Sequence, residues 1–170
     1  AEYAAALAEL LELSPTAHRI LRLAALLHDV GKVGVPGDIL CKPGVLDGSE
    51  LALVRHQIKI ASQLIVDVPN SEEVRAVVRH LRERWDGSGY PDGLAGDEIP
   101  YLSRVLAVAD AYAAMTLDRP HRAALSGEDA YEELVRSSGT QLDPELVALF
   151  AAVGNTTRRQ MEPETLSFAT

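Results

Sequence analysis

The pair His28-Asp29 closes an apolar run and is followed by Gly31 and Lys32. An imidazole beside a carboxylate can ligate divalent ions, the carboxylate bridging two and the imidazole holding one. Lys32, in the same short stretch, is placed to meet a phosphate oxygen or a leaving group. The plainer alternative is a histidine favoured by the negative end of a helix, with Asp29 capping the next turn of chain. Asp110 stands among Ala107, Val108, Ala109, Ala111 and Ala113. A carboxylate in such apolar company needs either a metal or a salt-bridge partner. His56 lies between Leu53 and Ile60 beside an apolar stripe, where a core-edge histidine making one hydrogen bond competes with a ligand.

Helices must position these groups. Apolar residues recur at helical spacing at Ile20, Leu23, Ala24 and Leu27, then at Val54, Ile58, Ala61 and Ile65. Val74, Val77, Val78 and Leu81 repeat the stripe, as do Leu146, Leu149, Phe150 and Val153. Ser71 before Glu72 and Glu73, Ser126 before Glu128 and Asp129, and Asp143-Pro144 read as helix starts, and Gly139 as a stop. The pattern predicts helices near 1–13, 16–29, 49–66, 71–83, 102–117, 127–137 and 144–153, and no strand. The expected fold is all-α: one domain over residues 1–153 with a polar tail over 154–170. Two glycine-rich loops interrupt it, at 30–48 and 86–100. In the second, Tyr90, Leu94 and Ile99 supply apolar anchors, so it is expected to pack.

With 170 residues, 47% of them apolar, the chain can bury a core without staples. One cysteine, Cys41, excludes a disulfide framework and a cysteine zinc site. The net charge of -9 argues against long nucleic acid as a partner, while small phosphorylated ligands need only a few local cations. No apolar run is long enough for a membrane helix. The opening Ala1-Glu2-Tyr3, without methionine or a signal pattern, suggests an excised or trimmed domain, with the cytoplasm as its default location.

Longer motifs occur in order: Leu-Leu-His28-Asp29-Val-Gly-Lys32, Lys42-Pro43-Gly44, His56, Arg84-Trp85-Asp86-Gly87-Ser-Gly89-Tyr90-Pro91, Ile99-Pro100, Arg104, Val-Ala-Asp110, Arg119-Pro120-His-Arg122 and Gly139-Thr-Gln-Leu-Asp143-Pro144. Together they closely resemble the HD-GYP family, a branch of the HD metal-dependent phosphohydrolases. The resemblance implies an all-α HD-type bundle of about seven helices that hydrolyses cyclic di-GMP with clustered iron or manganese. It implies that His28, Asp29, His56 and Asp110 are metal ligands, with Asp29 bridging, and that Asp29 and Lys32 serve the chemistry. Lys32, Arg119 and Arg122 match positions that reach the ligand phosphates. Gly89, Tyr90 and Pro91 match the signature loop, which in the family is implicated in contacts with diguanylate cyclase partners.

Departures from the pattern bear on activity. Leu81 and Arg82 stand where the family has two adjacent histidines, just before the glutamate matched by Glu83. Neither can coordinate a metal: leucine has no donor and arginine stays protonated. His80 and His18 are out of place as substitutes, and the family's first-helix histidine would precede Ala1. Gln57, Ile60 and Ala113 also replace usual residues. The remaining ligands suffice for one ion or none. Three functions are then open: a weakened cyclic di-GMP phosphodiesterase, a degenerate domain sensing a cyclic dinucleotide or binding a protein, or an HD hydrolase with another phosphorylated substrate.

Overall fold

The computed structural model describes residues 1–118 and 123–150. Eight α-helices succeed one another: α1 (Glu2–Leu10), α2 (Pro15–Leu27), α3 (Gly37–Leu40), α4 (Gly48–Leu64), α5 (Ser71–Arg79), α6 (Tyr101–Thr116), α7 (Gly127–Ser137) and α8 (144–150). Short 3-10 turns cover Val30–Gly34 and Gly96–Glu98. The described residues contain no strand ladder, only an isolated bridge between Ser138 and Leu142. The all-α expectation holds.

The helix starts are set by side chains that satisfy otherwise orphaned amides. Ser14 accepts from Ala17 N–H ahead of Pro15, which fits the first helical position. Asp47 and Glu50 form a reciprocal capping box that opens α4. Ser126 caps α7, and Asp143 accepts from Glu145 and Leu146 to open α8. Ser71 is itself the first helical residue of α5; the cap position falls to Asn70 at φ 57°.

The helices expected over 1–13, 16–29, 49–66 and 71–83 all end earlier, at Leu10, Leu27, Leu64 and Arg79, and two of these endings matter for the site. The α2 helix stops at Leu27, so His28 is its C-cap and Asp29 already belongs to the turn beyond. The α5 helix stops at Arg79 rather than near residue 83. The apolar stripe hides that second ending, because Leu81 is buried like a helical neighbour although the chain has left the helix.

The α6 helix runs through the middle, packed against α1, α2, α5 and α7. Its Val105, Val108, Ala109 and Tyr112 join Leu7, Leu21, Ala24, Val74, Val78 and Leu134 in one core. Tyr112 packs on Tyr3 and on Phe150, with ring centroids 4.8 Å apart in each pair, which ties α1, α6 and α8 together. In α8 the buried positions are Leu146, Val147 and Phe150, whereas Leu149, assigned to the stripe by spacing, is exposed. The predicted tail over 154–170 lies outside the described residues.

Candidate functional site

At the C-terminus of α2, the backbone N–H of His28 bonds Ala24 O at 2.8 Å. Its ring Nδ1 lies 2.9 Å from Ala25 O and donates to it, which leaves Nε2 facing the site. Asp29 comes next, and the 3-10 turn carries Lys32 back so that its Nζ lies 2.6 Å from Asp29 Oδ2. This turn is pressed onto α4. A Cβ at Gly31 would overlap the Gln57 carbonyl, so only glycine lets the two backbones meet.

The α6 helix brings Asp110 to the same place. His28 Nε2 lies 3.4 Å from Asp110 Oδ1 and 3.5 Å from Asp29 Oδ1. The other oxygen of Asp110 accepts from Arg82 Nη1 at 3.1 Å. His28 and Asp29 at the end of α2 and Asp110 on α6 are therefore gathered from two separate stretches of backbone, and Arg82 joins them from a third. His56 does not join them. It is exposed on α4, and its side chain has no hydrogen bond or ion pair among the described residues; the buried positions beside it are Gln57, Ile58 and Ala61. Hydrogen bonds and ion pairs thus join three of the four expected groups, and His56 has none to them. A turn of about 100° per residue carries position 56 off the face that packs inward. Arg119 and Arg122 lie outside the described residues.

The electrostatics obey the geometry. Asp110 pulls the His28 imidazole above its ordinary pKa, against the opposing effect of burial and with help from Asp29. Burial pushes the Asp110 carboxyl up, but His28 and the Arg82 guanidinium outweigh it and hold the group at about 2. Both carboxylates face basic side chains, Asp29 facing Lys32 and Asp110 facing Arg82.

The metal ions implied by the sequence resemblance do not fit this donor set. Among the described residues no three His, Cys, Asp or Glu side chains are arranged to hold an ion. The carboxylates that would have to bind it are occupied by an ammonium and a guanidinium.

The segment after α5 connects this cluster to the glycine-rich loop, and its successive side chains point different ways. His80 Nε2 lies 3.0 Å from Asp92, and Leu81 enters the core at 5% exposure. Arg82 turns to Asp110, and Glu83, 4% exposed, turns into the loop. There Glu83 accepts from the backbone N–H groups of Asp92 at 2.7 Å, Gly93 at 3.1 Å and Leu94 at 3.2 Å. Gly89 packs so tightly on the backbone of Glu83 and Arg84 that no side chain fits. The Tyr90 ring lies under Arg55, 4.9 Å from its guanidinium carbon, and Ile99 is buried. Pro91, joined to Tyr90 by a cis peptide bond, is exposed.

Sequence reasoning passed over Glu83 as the organiser of this loop, Arg55 as its clamp and Arg104 as a hub. Arg104 pairs with the buried Asp143 at 2.7 Å and with Asp97 at 2.8 Å, and lies near the rings of Trp85 and Tyr101. The usable signal for Glu83 was a carboxylate directly followed by a turn rich in glycine, whose amides need acceptors.

A histidine and two aspartates where the end of α2 meets the middle of α6, in an all-α bundle, define the class to which this chain belongs. Residues 1–146 match the HD domain family, and the chain is a member of it. It is 40% identical over 143 residues to the cyclic di-GMP phosphodiesterase response regulator RpfG of Xanthomonas campestris pv. campestris, covering 82% of this chain and 38% of that one. It is 41% identical over 151 residues to the cyclic di-GMP phosphodiesterase PA4108 of Pseudomonas aeruginosa, covering 88% of this chain and 36% of that one. The 3'3'-cGAMP-specific phosphodiesterase 3 of Vibrio cholerae is 38% identical over 128 residues, which cover 75% of this chain and 28% of that one. The chain thus spans between 28% and 38% of the length of these curated relatives. Among solved structures, the V. cholerae cyclic GMP-AMP specific phosphodiesterase V-cGAP3 superposes with a TM-score of 0.72 at 20% identity, over 92% of this chain and 42% of that one. Bd1817, an HD-GYP-type protein of Bdellovibrio bacteriovorus, gives 0.67 at 20% identity, over 92% of this chain and 50% of that one. The two superpositions establish the shared fold.

Proposed function

We propose that this chain is the HD-GYP-type domain of a bacterial cyclic dinucleotide signalling protein, one that binds cyclic di-GMP and turns it over poorly. The observation that carries the reading is the meeting of His28, Asp29 and Asp110 with Lys32 alongside, at the motif positions that the resemblance assigns to the reacting phosphate. Relatives named for cyclic di-GMP and for 3'3'-cGAMP support the ligand class. Poor turnover is a consequence of the donor set. Phosphodiester hydrolysis by this family type rests on clustered ions that generate hydroxide and clamp the phosphate. Leu81 and Arg82 offer such ions no ligand, and Asp29 and Asp110 are paired to cations. The resemblance assigns further phosphate contacts to Arg119 and Arg122, which lie outside the described residues. No helix among the described residues is long and apolar enough to cross a membrane, and the domain acts in the cytoplasm.

The Gly89-Tyr90-Pro91 segment is the surface we assign to a protein partner such as a diguanylate cyclase domain. The favouring observation is that the segment is held by Glu83 on one side and Arg55 over the Tyr90 ring while Pro91 is exposed. Pre-ordered surfaces lose less entropy on docking.

The test is equilibrium binding of cyclic di-GMP and 3'3'-cGAMP to the purified chain, with turnover of both followed in the presence of manganese. Measurable binding with near-background turnover is expected. Robust hydrolysis by this chain would overturn the poor-turnover reading, and failure to bind either nucleotide would overturn the ligand class.

A further inference from the structure

We infer that Arg82 takes the place of a divalent ion in this cluster: it neutralises Asp110 and presents its remaining N–H groups to a phosphodiester, which the site binds without metal. The inference rests on the cyclic dinucleotide reading above and specifies how the ligand is held.

Three observations carry it. The first is charge. Asp29 and Asp110 are matched one for one by Lys32 at 2.6 Å and Arg82 at 3.1 Å. A divalent cation entering here would have to displace both side chains or sit beside two like charges. An anion meets the opposite situation.

The second is spare donor capacity. Among the described residues the Arg82 side chain makes one hydrogen bond, to Asp110 Oδ2. A guanidinium carries several more N–H groups in a planar fork that suits two phosphate oxygens. The Arg82 side chain is 37% exposed and that of Lys32 42%, so both can reach solvent or ligand while staying paired.

The third is fixation. Arg82 cannot swing freely away, because its neighbours are held on both sides. Leu81 is buried in the core, Glu83 is bonded to three loop amides, and the Arg82 carbonyl accepts from Tyr90 N–H at 3.2 Å. A pinned backbone aims the side chain at α6, where a purely surface arginine would wander. The structural alternative is an ion pair that only joins the α5 turn to α6. That alternative predicts a change in stability without a change in how ligand or metal binds.

The test compares the wild-type chain with Arg82→Gln and Arg82→Lys, each confirmed folded by circular dichroism. Cyclic di-GMP is titrated calorimetrically in EDTA and again with Mn(II). Mn(II) alone is titrated separately, with free ion followed by electron paramagnetic resonance. Wild-type affinity for the nucleotide should agree within about threefold with and without Mn(II). In Arg82→Gln it should fall on the order of tenfold or more, as expected for losing a charge-assisted contact. Arg82→Lys should lie between them, and Arg82→Gln should bind Mn(II) more tightly than wild type. A wild-type chain that needs Mn(II) to bind the nucleotide would overturn the inference, as would one that takes up Mn(II) as tightly as Arg82→Gln. If no cyclic dinucleotide binds under any condition, the functional reading falls. The Mn(II) comparison then decides the role of Arg82: tighter binding by Arg82→Gln sustains it, and equal binding overturns it.

Discussion

Arg82 and Asp110, far apart in the chain, meet at 3.1 Å at the point where the family resemblance calls for a metal ligand and its ion. The contact exists because α5 ends at Arg79 and the turn beyond it buries Leu81, which sends the next side chain toward α6. Charge balance and local chain geometry thus reinforce each other at one pair.

Restoring the family pattern should expose the trade between metal binding and packing. The double change Leu81→His with Arg82→His offers an imidazole at position 82 beside an Asp110 freed of its guanidinium, and a second at position 81, where the leucine is now buried in the core. Metal bound per chain should rise after loading with manganese. Leu81 is buried, so the exchange should also lower stability by about 2–4 kcal/mol. Metal analysis and urea unfolding of the same samples check both halves.

Glu83→Ala should loosen the loop over residues 86–100. Three backbone N–H groups, of Asp92, Gly93 and Leu94, lose their charged acceptor at once. Hydrogen bonds to a charged group contribute about 1.5–3 kcal/mol each, though not additively, so a loss of roughly 3 kcal/mol is expected. Limited proteolysis should then cut within the loop, while wild type resists. Glu83→Gln, which keeps an acceptor oxygen, should lie between.

Gly31→Ala should separate the 3-10 turn from α4, because the added methyl overlaps the Gln57 carbonyl. Backbone contact leaves no flexible group to yield, so a loss on the order of 2–3 kcal/mol is expected. Asp29 and Lys32 ride on that turn, and cyclic dinucleotide affinity should fall with it. Unchanged affinity would show that the turn does not position them.

Acid should weaken the loop over a defined range. Hydrogen bonds from Ser88 and the Arg84 guanidinium hold the Asp86 carboxyl at about 2, and Arg79 with His80 lowers that of Asp92. Both folded values lie below the ordinary 3.8. The stabilisation is therefore fully present above about 4 and lost as pH falls toward about 2. Hydrogen exchange of the loop amides, corrected for intrinsic rates, should accelerate over that range. Asp92→Asn should flatten part of the response.

Much of the scaffold was legible in the sequence because helices are encoded locally. Ser126 and Asp143 act as the caps their types predict, and the stripes of α2, α4 and α5 bury most of the residues that helical spacing selects, with Leu23, Leu27 and Val54 half-buried. His28-Asp29 was legible as a site because a ligand-type pair closing an apolar helix is a local pattern too. No local pattern carries the encounter between elements. His28 meets Asp110 only because α2 and α6 pack together, and His56, exposed on α4, makes no hydrogen bond or ion pair with either. Periodicity says which face of a helix is buried, but not where on a neighbouring helix that face lands. The endings of α2 and α5 were concealed for a related reason: Leu81 is buried by tertiary contact after the helix has stopped, so the stripe outlasts the helix. The charge of residue 82 is a property of its residue type and was set by sequence alone. Only the folded chain decided that this charge would rest on Asp110, because the turn after α5 and the edge of α6 meet nowhere but in three dimensions.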